Sequence, residues 1–261
     1  MNLLQSISSS SWVLITKSVN APSPQPSRKV DTPTKSVGLE QWLSVLHLSD
    51  SALPIGAFAY SEGLESAIQL DALQTPDDLG TWWELWRTET FRWQEGPALC
   101  QLMQAIKGND WQNVQILNQE LTALKPATVL RDGSHILGKR LLTTCADLYP
   151  DLPADRLEEL LPTLNVLTVQ ATLFAIQHLS EDIALASFAF GRLNQSLSAA
   201  LRLFALGQQA GQVLLQEQLR LIPKTVNEIL EDSNSPLRSF TPRVDLLQMK
   251  HSGLYTRLFR S

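Results

Sequence analysis

SEDIALASFAFGRLNQSLSAALRLF, residues Ser180 to Phe204, is the stretch whose reading decides the fold. Ile183, Ala186, Phe190, Leu193, Leu197, Leu201 and Phe204 recur at three- and four-residue spacing, which is one stripe of an α-helix. Ser180 with Glu181 and Asp182 opens this helical pattern. Ser187, Gly191, Ser198 and Ala205 flank the stripe and would let a second helix approach closely. Gly207 interrupts the pattern, and Gln208 to Leu219 resumes it.

Outward from this segment the chain repeats the same grammar. Leu164 to Leu179 reads as a helix, and Pro150 and Pro153 mark a turn after a long amphipathic segment from Ala127 to Leu148. Asp110 opens a helix that runs to Leu124, where Lys125-Pro126 ends it. Thr75-Pro76-Asp77-Asp78 reads as an N-cap, a proline at the first helical position and acids in the first turn. The helix that follows carries Leu79, Trp82, Trp86 and Trp93 on one face. Gly96-Pro97 is expected to stop it and start the next, which Gly108 closes. No segment alternates as a strand would, and leucine outnumbers valine and isoleucine together by roughly two to one.

The expected fold is therefore all-α, a single helical domain of roughly eight to ten helices over residues 39–235. Residues 1–38 differ in kind. A serine run from Ser6 to Ser11 and the alternating prolines of Ala21 to Ser27 cannot bury enough apolar surface to fold, so a disordered extension is expected there. Residues 236–261 form an irregular tail, because Pro236 and Pro242 forbid a continuous helix. The tail holds Arg238, Arg243, Lys250, Arg257 and Arg260 against Asp245 alone, with Leu254, Tyr255, Leu258 and Phe259 interspersed. A cationic, apolar tail reads as a docking peptide for a partner, with a tail folded back on its own domain as the alternative.

Composition excludes some functions. A net charge of −5 argues against nonspecific nucleic-acid binding. No apolar run approaches the ~20 residues of a membrane helix, and a cytoplasmic location is expected. Cys100 and Cys145 show no metal spacing and read as buried apolar groups. There is no P-loop: Gly138-Lys139 is followed by Arg140. There is no G-x-G-x-x-G, G-x-S-x-G, H-E-x-x-H or C-x-x-C either. His47, His135, His178 and His251 are scattered, and only His251, in the tail, is expected to be exposed. The tryptophans read as core or interface, and Glu62 and Glu65 as helix-face charges or partner contacts. No catalytic constellation, metal site or cofactor is expected.

Two segments carry a family resemblance. Leu48 to Glu65, LSDSALPIGAFAYSEGLE, is similar to the signature of the UreF family: an S-D-S-like start, L-P-[IV]-G-[GA]-[FY], then S-x-G-L-E. Tyr255 to Ser261, YTRLFRS, resembles that family's ending. Phe190, Arg202, Leu206 to Ala210 and Leu214 resemble its late helical region, and Arg131 and Gly138 match more loosely. On physical grounds alone, Pro54 and Gly56 break a helix that begins near Glu40, and Ser61 can cap a new one. Phe58 and Tyr60 then fall on a turn, either tucked inward or offered to a partner.

The resemblance implies a urease accessory protein, not an enzyme, that bridges UreD (UreH in some bacteria) and the GTPase UreG while nickel is inserted into apo-urease. It also implies a homodimer within that complex and an influence on GTP hydrolysis. Carried over residue by residue, it assigns Tyr255, Arg257, Leu258, Phe259 and Arg260 to the UreD contact. Phe58 and Tyr60, with Arg202 and Gln208, are assigned to the UreG side or its support, and Glu62 is a further candidate for partner binding. The alternatives are a chaperone that binds nickel directly, with His251 among its ligands, and a helical enzyme whose site assembles from distant residues.

Overall fold

The computed structural model describes residues 38–50 and 53–260. Except for Gly38, the extension expected to be disordered lies outside them. The described residues form eleven α-helical stretches and no strand. They are α1 (Leu39–Leu48), α2 (Leu64–Gln69), α3 (Pro76–Leu85), α4 (Gly96–Lys107), α5 (Trp111–Ala123), α6 (Thr128–Ala146), α7 (Ala154–Leu160), α8 (Val166–Ile176), α9 (Glu181–Leu203), α10 (Gln208–Glu231) and α11 (Pro242–Lys250). One compact unit holds them all.

The apolar pattern explains which helices lie at the centre. In α8, Leu167 to Val169 and Ala171 to Ala175 are all buried. A helix apolar all round must be surrounded by others, and α4 and α6 pack on it. Two caps form, the Thr75 hydroxyl accepting from Asp78 N at 3.2 Å and the Asp110 carboxylate from Asn113 N at 3.1 Å. Ser180, by contrast, makes no side-chain cap to α9, and Gly63, not Ser61, stands at the N-cap of α2. Asn118, buried in α5, holds the connection into α8 by giving its Nδ2–H to Thr163 O at 2.6 Å. Its Oδ1 accepts from Asn165 N and Thr168 Oγ1, both at 2.9 Å.

Gly96-Pro97 does not stop the helix as expected. Trp86–Glu95 is a π-helical segment, and α3, this segment and α4 form one continuous rod. Pro97 has no N–H to give to the preceding turn, and the wider π turn carries the chain past it. Gly96 permits this: a Cβ there would lie 2.7 Å from Phe91 O and 2.5 Å from Ile229 Cδ1 of α10. Trp83 and Phe91 are the fully buried pair, while Trp82 and Trp86 of the stripe read in the sequence are half-buried.

Other differences have similar causes. The start of α9 is rotated relative to the sequence stripe: Ala184, Leu185 and Phe188 are buried, while Ala186 and Phe190 face out. Helix α10 runs through Pro223 to Glu231, because Ile222, Val226 and Ile229 pack inward and offset the lost hydrogen bond. Helix α7 follows Pro153, where only a turn was expected. In the tail, Pro242 opens the nine-residue α11 at a position where its missing N–H costs nothing.

Candidate functional site

The two sequence signatures, nearly two hundred residues apart, lie side by side. Gly56 and Gly63 take left-handed conformations and turn the chain sharply on either side of Phe58 and Tyr60. Gln195 of α9 fixes this turn by donating to Ala57 O at 3.1 Å and Tyr60 O at 3.3 Å. Arg260 N donates to Ala59 O at 2.8 Å, which sets the last described residues along the turn. Arg202 joins both: its Nη1–H donates to Phe58 O at 2.9 Å, and its guanidinium lies 4.4 Å from the centre of the Phe259 ring.

Beneath the tail, the structure corrects the reading of Glu65 and His251. Neither is a surface group: Glu65 is 1% exposed and His251 is fully buried. His251 Nε2 is 2.9 Å from Glu65 Oε2. The same carboxylate accepts from Leu258 N at 2.6 Å and Phe259 N at 3.2 Å. Gln69, one turn further along α2, reaches the tail as well, giving its Nε2–H to Thr256 O at 3.0 Å. A buried carboxylate needs such donors, and the tail supplies three of them.

Of the turn aromatics, Phe58 is exposed, whereas Tyr60 is buried at 3%. Tyr60 packs against Gly133 of α6, where a Cβ would lie 2.8 Å from its ring. Among the tail residues Tyr255 is fully exposed and Leu258 56% exposed, while Phe259 is buried. Tyr60 and Phe259 therefore shape the surface from below and cannot themselves meet a partner in this conformation. Arg257 and Arg260 are exposed, as are Arg243 and Lys250 on α11 beside Leu246 and Met249. Gln208 is exposed at the start of α10. Where turn and tail meet, Phe58, Tyr255 and Leu258 protrude among Arg202, Arg257 and Arg260.

Glu62 turns inward from this surface. Arg192 of α9 is hydrogen-bonded to Glu62, and its Nη2 lies 3.6 Å from Glu95 of the π segment. Burial lowers the guanidinium's pKa, but the two carboxylates more than offset this, so the net shift is upward and Arg192 is a fixed cation. These three line a cavity of about 200 Å³, together with Gln94, Tyr60 and Asn165. The Tyr60 hydroxyl and Asn165 Nδ2 make no hydrogen bond to protein there. Cys100 and Cys145 are fully buried, which pushes their thiols up to about 12 and about 11. Among the described residues no three His, Cys, Asp or Glu side chains cluster as metal ligands, and no helix is long and apolar enough to cross a membrane.

A second surface went unread in the sequence. Leu39, Trp42, Leu43 and Leu46 of α1 are all substantially exposed and share one helical face. The opposite face is anchored by Ser44 Oγ to Gln177 Oε1 at 2.8 Å and by Gln41 Nε2 to His178 O at 3.0 Å. Ser49 and Ser187, with hydroxyls 2.6 Å apart, bring the end of α1 beside α9 just before Phe190. The three- and four-residue spacing in α1 was the available signal.

Compared with known families, the chain matches the UreF family model over residues 73–219, more than half its length.

Proposed function

The chain belongs to the UreF family, whose members are urease accessory proteins, and from that premise we propose that it is the scaffold joining UreD (UreH) to UreG during nickel insertion into apo-urease. The observation that carries this reading is the single surface built from both signature segments. Tyr255 and Leu258 stand out from the tail, Phe58 stands out from the turn, and Arg202 ties the two together. Large side chains held rigidly in water are a cost to a solitary protein and an asset to an adaptor.

In this reading the tail residues Tyr255, Arg257, Leu258 and Arg260 meet UreD, with Phe259 as their internal support. Phe58, Arg202 and Gln208 belong to the UreG side, and Tyr60 fixes the turn beneath them. The apolar face of α1 with Phe190 is the contact between two copies in a homodimer. The polar cavity around Glu62, Glu95 and Arg192 supports a shielded route for nickel past a chain that holds no tight metal site. The protein acts in the cytoplasm, catalyses no reaction itself and modulates GTP hydrolysis by positioning UreG. The nickel-chaperone alternative relied on His251, and that ring is buried against Glu65.

The test is co-purification with UreD. Tyr255→Ala together with Leu258→Ala removes exposed side chains only, so the fold should persist while UreD is lost. Deleting residues 252–261 should also lose UreD, but at a cost in stability, because buried Phe259 and two donors to the Glu65 carboxylate go with it. Phe58→Ala should weaken recruitment of UreG. Wild-type recovery of UreD by the tail variants would refute the assignment.

A further inference from the structure

The tail's own anchorage is concentrated on one side chain. Glu65 gathers His251, Leu258 N and Phe259 N on its two oxygens, and Gln69 Nε2 lies 3.4 Å from Oε1. These hydrogen bonds form where water does not compete, which strengthens each of them. We propose that Glu65 is the positioning residue of the docking surface: by clamping two successive tail amides it fixes which side chains of the tail face a partner.

The geometry accounts for the register. Leu258 N and Phe259 N converge on the same carboxylate, so their side chains leave in different directions. The Phe259 ring goes inward under Arg202, and Leu258 goes outward. His251 fastens the near end of the segment, and the bond from Arg260 N to Ala59 O fastens the far end. Between these points Tyr255, Arg257 and Leu258 are exposed on a backbone held by these hydrogen bonds. Order before binding removes part of the entropy cost of association. The surface presented is apolar with Lys250, Arg257 and Arg260 around it. It fits a protein face that offers apolar recesses within an acidic rim.

This inference rests on the tail being a docking surface, and the experiment separates the two. Glu65→Gln keeps the shape but turns an N–H donor toward donors. In the full-length chain, amide exchange at Leu258 and Phe259 should accelerate by at least about tenfold. Amides in α4 and α8 should keep their protection, which a general loss of structure would not allow. Affinity for purified UreD should fall by a similar factor. Unchanged protection at Leu258 and Phe259 overturns the clamp. Faster exchange with undiminished UreD affinity overturns the docking reading, and the proposal with it. If Glu65→Gln does not fold, His251→Phe keeps a ring and deletes one donor. It should loosen the same two amides, and failure to do so also overturns the clamp.

Discussion

Replacing Gly138 with alanine should destabilise the protein, while the same change at Gly191 should not. In a helix interior alanine is favoured over glycine by about 0.5–1 kcal/mol. At Gly191 of α9 an added Cβ meets nothing within 4 Å, so that gain stands. At Gly138 of α6 the Cβ would lie 2.6 Å from Leu164 O, 3.2 Å from Val166 N and 3.3 Å from the Asn165 carbonyl carbon. These are backbone atoms, and no rotamer change moves them aside. The same connection is held by His135 Nδ1, which accepts from Leu164 N at 2.9 Å, and by Ser134 Oγ, which accepts from Val166 N at 3.3 Å. Helix α6 must therefore retreat by several tenths of an ångström and stretch both bonds. Overpacking of this kind costs about 1–3 kcal/mol, and a weakened hydrogen bond about 1 kcal/mol more. The net loss is about 1–3 kcal/mol after the propensity gain is subtracted. Thermal unfolding of dilute protein should show Gly138→Ala roughly 3–10 °C below wild type, with Gly191→Ala at or above it. Equal melting temperatures for the two variants would refute the close approach of α6 to the entry of α8.

Other expectations can be checked with simple assays. Because burial raises both thiols well above the ordinary range, a thiol reagent at pH 8 should label neither Cys100 nor Cys145 in the folded protein and both after denaturation; rapid native labelling would contradict their placement. Arg192→Met leaves Glu62 and Glu95 without their shared cation. Since Arg192 and Glu62 are partly solvated while Glu95 is buried, denaturant unfolding should show a loss of about 1–3 kcal/mol, less than for a fully buried pair, and no loss would mean the network is not coupled. Trp42→Arg with Phe190→Arg alters exposed positions only. Stability should change by less than about 1 kcal/mol while sedimentation shows monomer, and a persisting dimer would mean the α1 face is not the interface.

Much of the fold was legible because local chemistry marks helix ends. Thr75, Asp110 and Ser180 each precede an observed helix, and Gly207 separates α9 from α10. What the sequence could not show was tertiary. The π segment exists because Gly96 lets Ile229 press against the rod, and Ile229 is more than a hundred residues away. Pro223 is a strong local stop, and only the burial of Ile222, Val226 and Ile229 overrides it. For the candidate site, the turn and the tail could each be recognised from their residues. That they meet could not, since the link runs through Arg202 and Glu65. His251 was misread for that reason: a histidine in a free tail is exposed, but this tail is held down by a buried carboxylate.

The most direct test of the central claim is urease activity in a host whose own copy of the gene has been deleted. Without the chain, apo-urease should accumulate with little activity at ordinary nickel supply. The full-length protein should restore activity, and the Tyr255→Ala, Leu258→Ala variant should not. Full urease activity in the deletion strain would contradict the account.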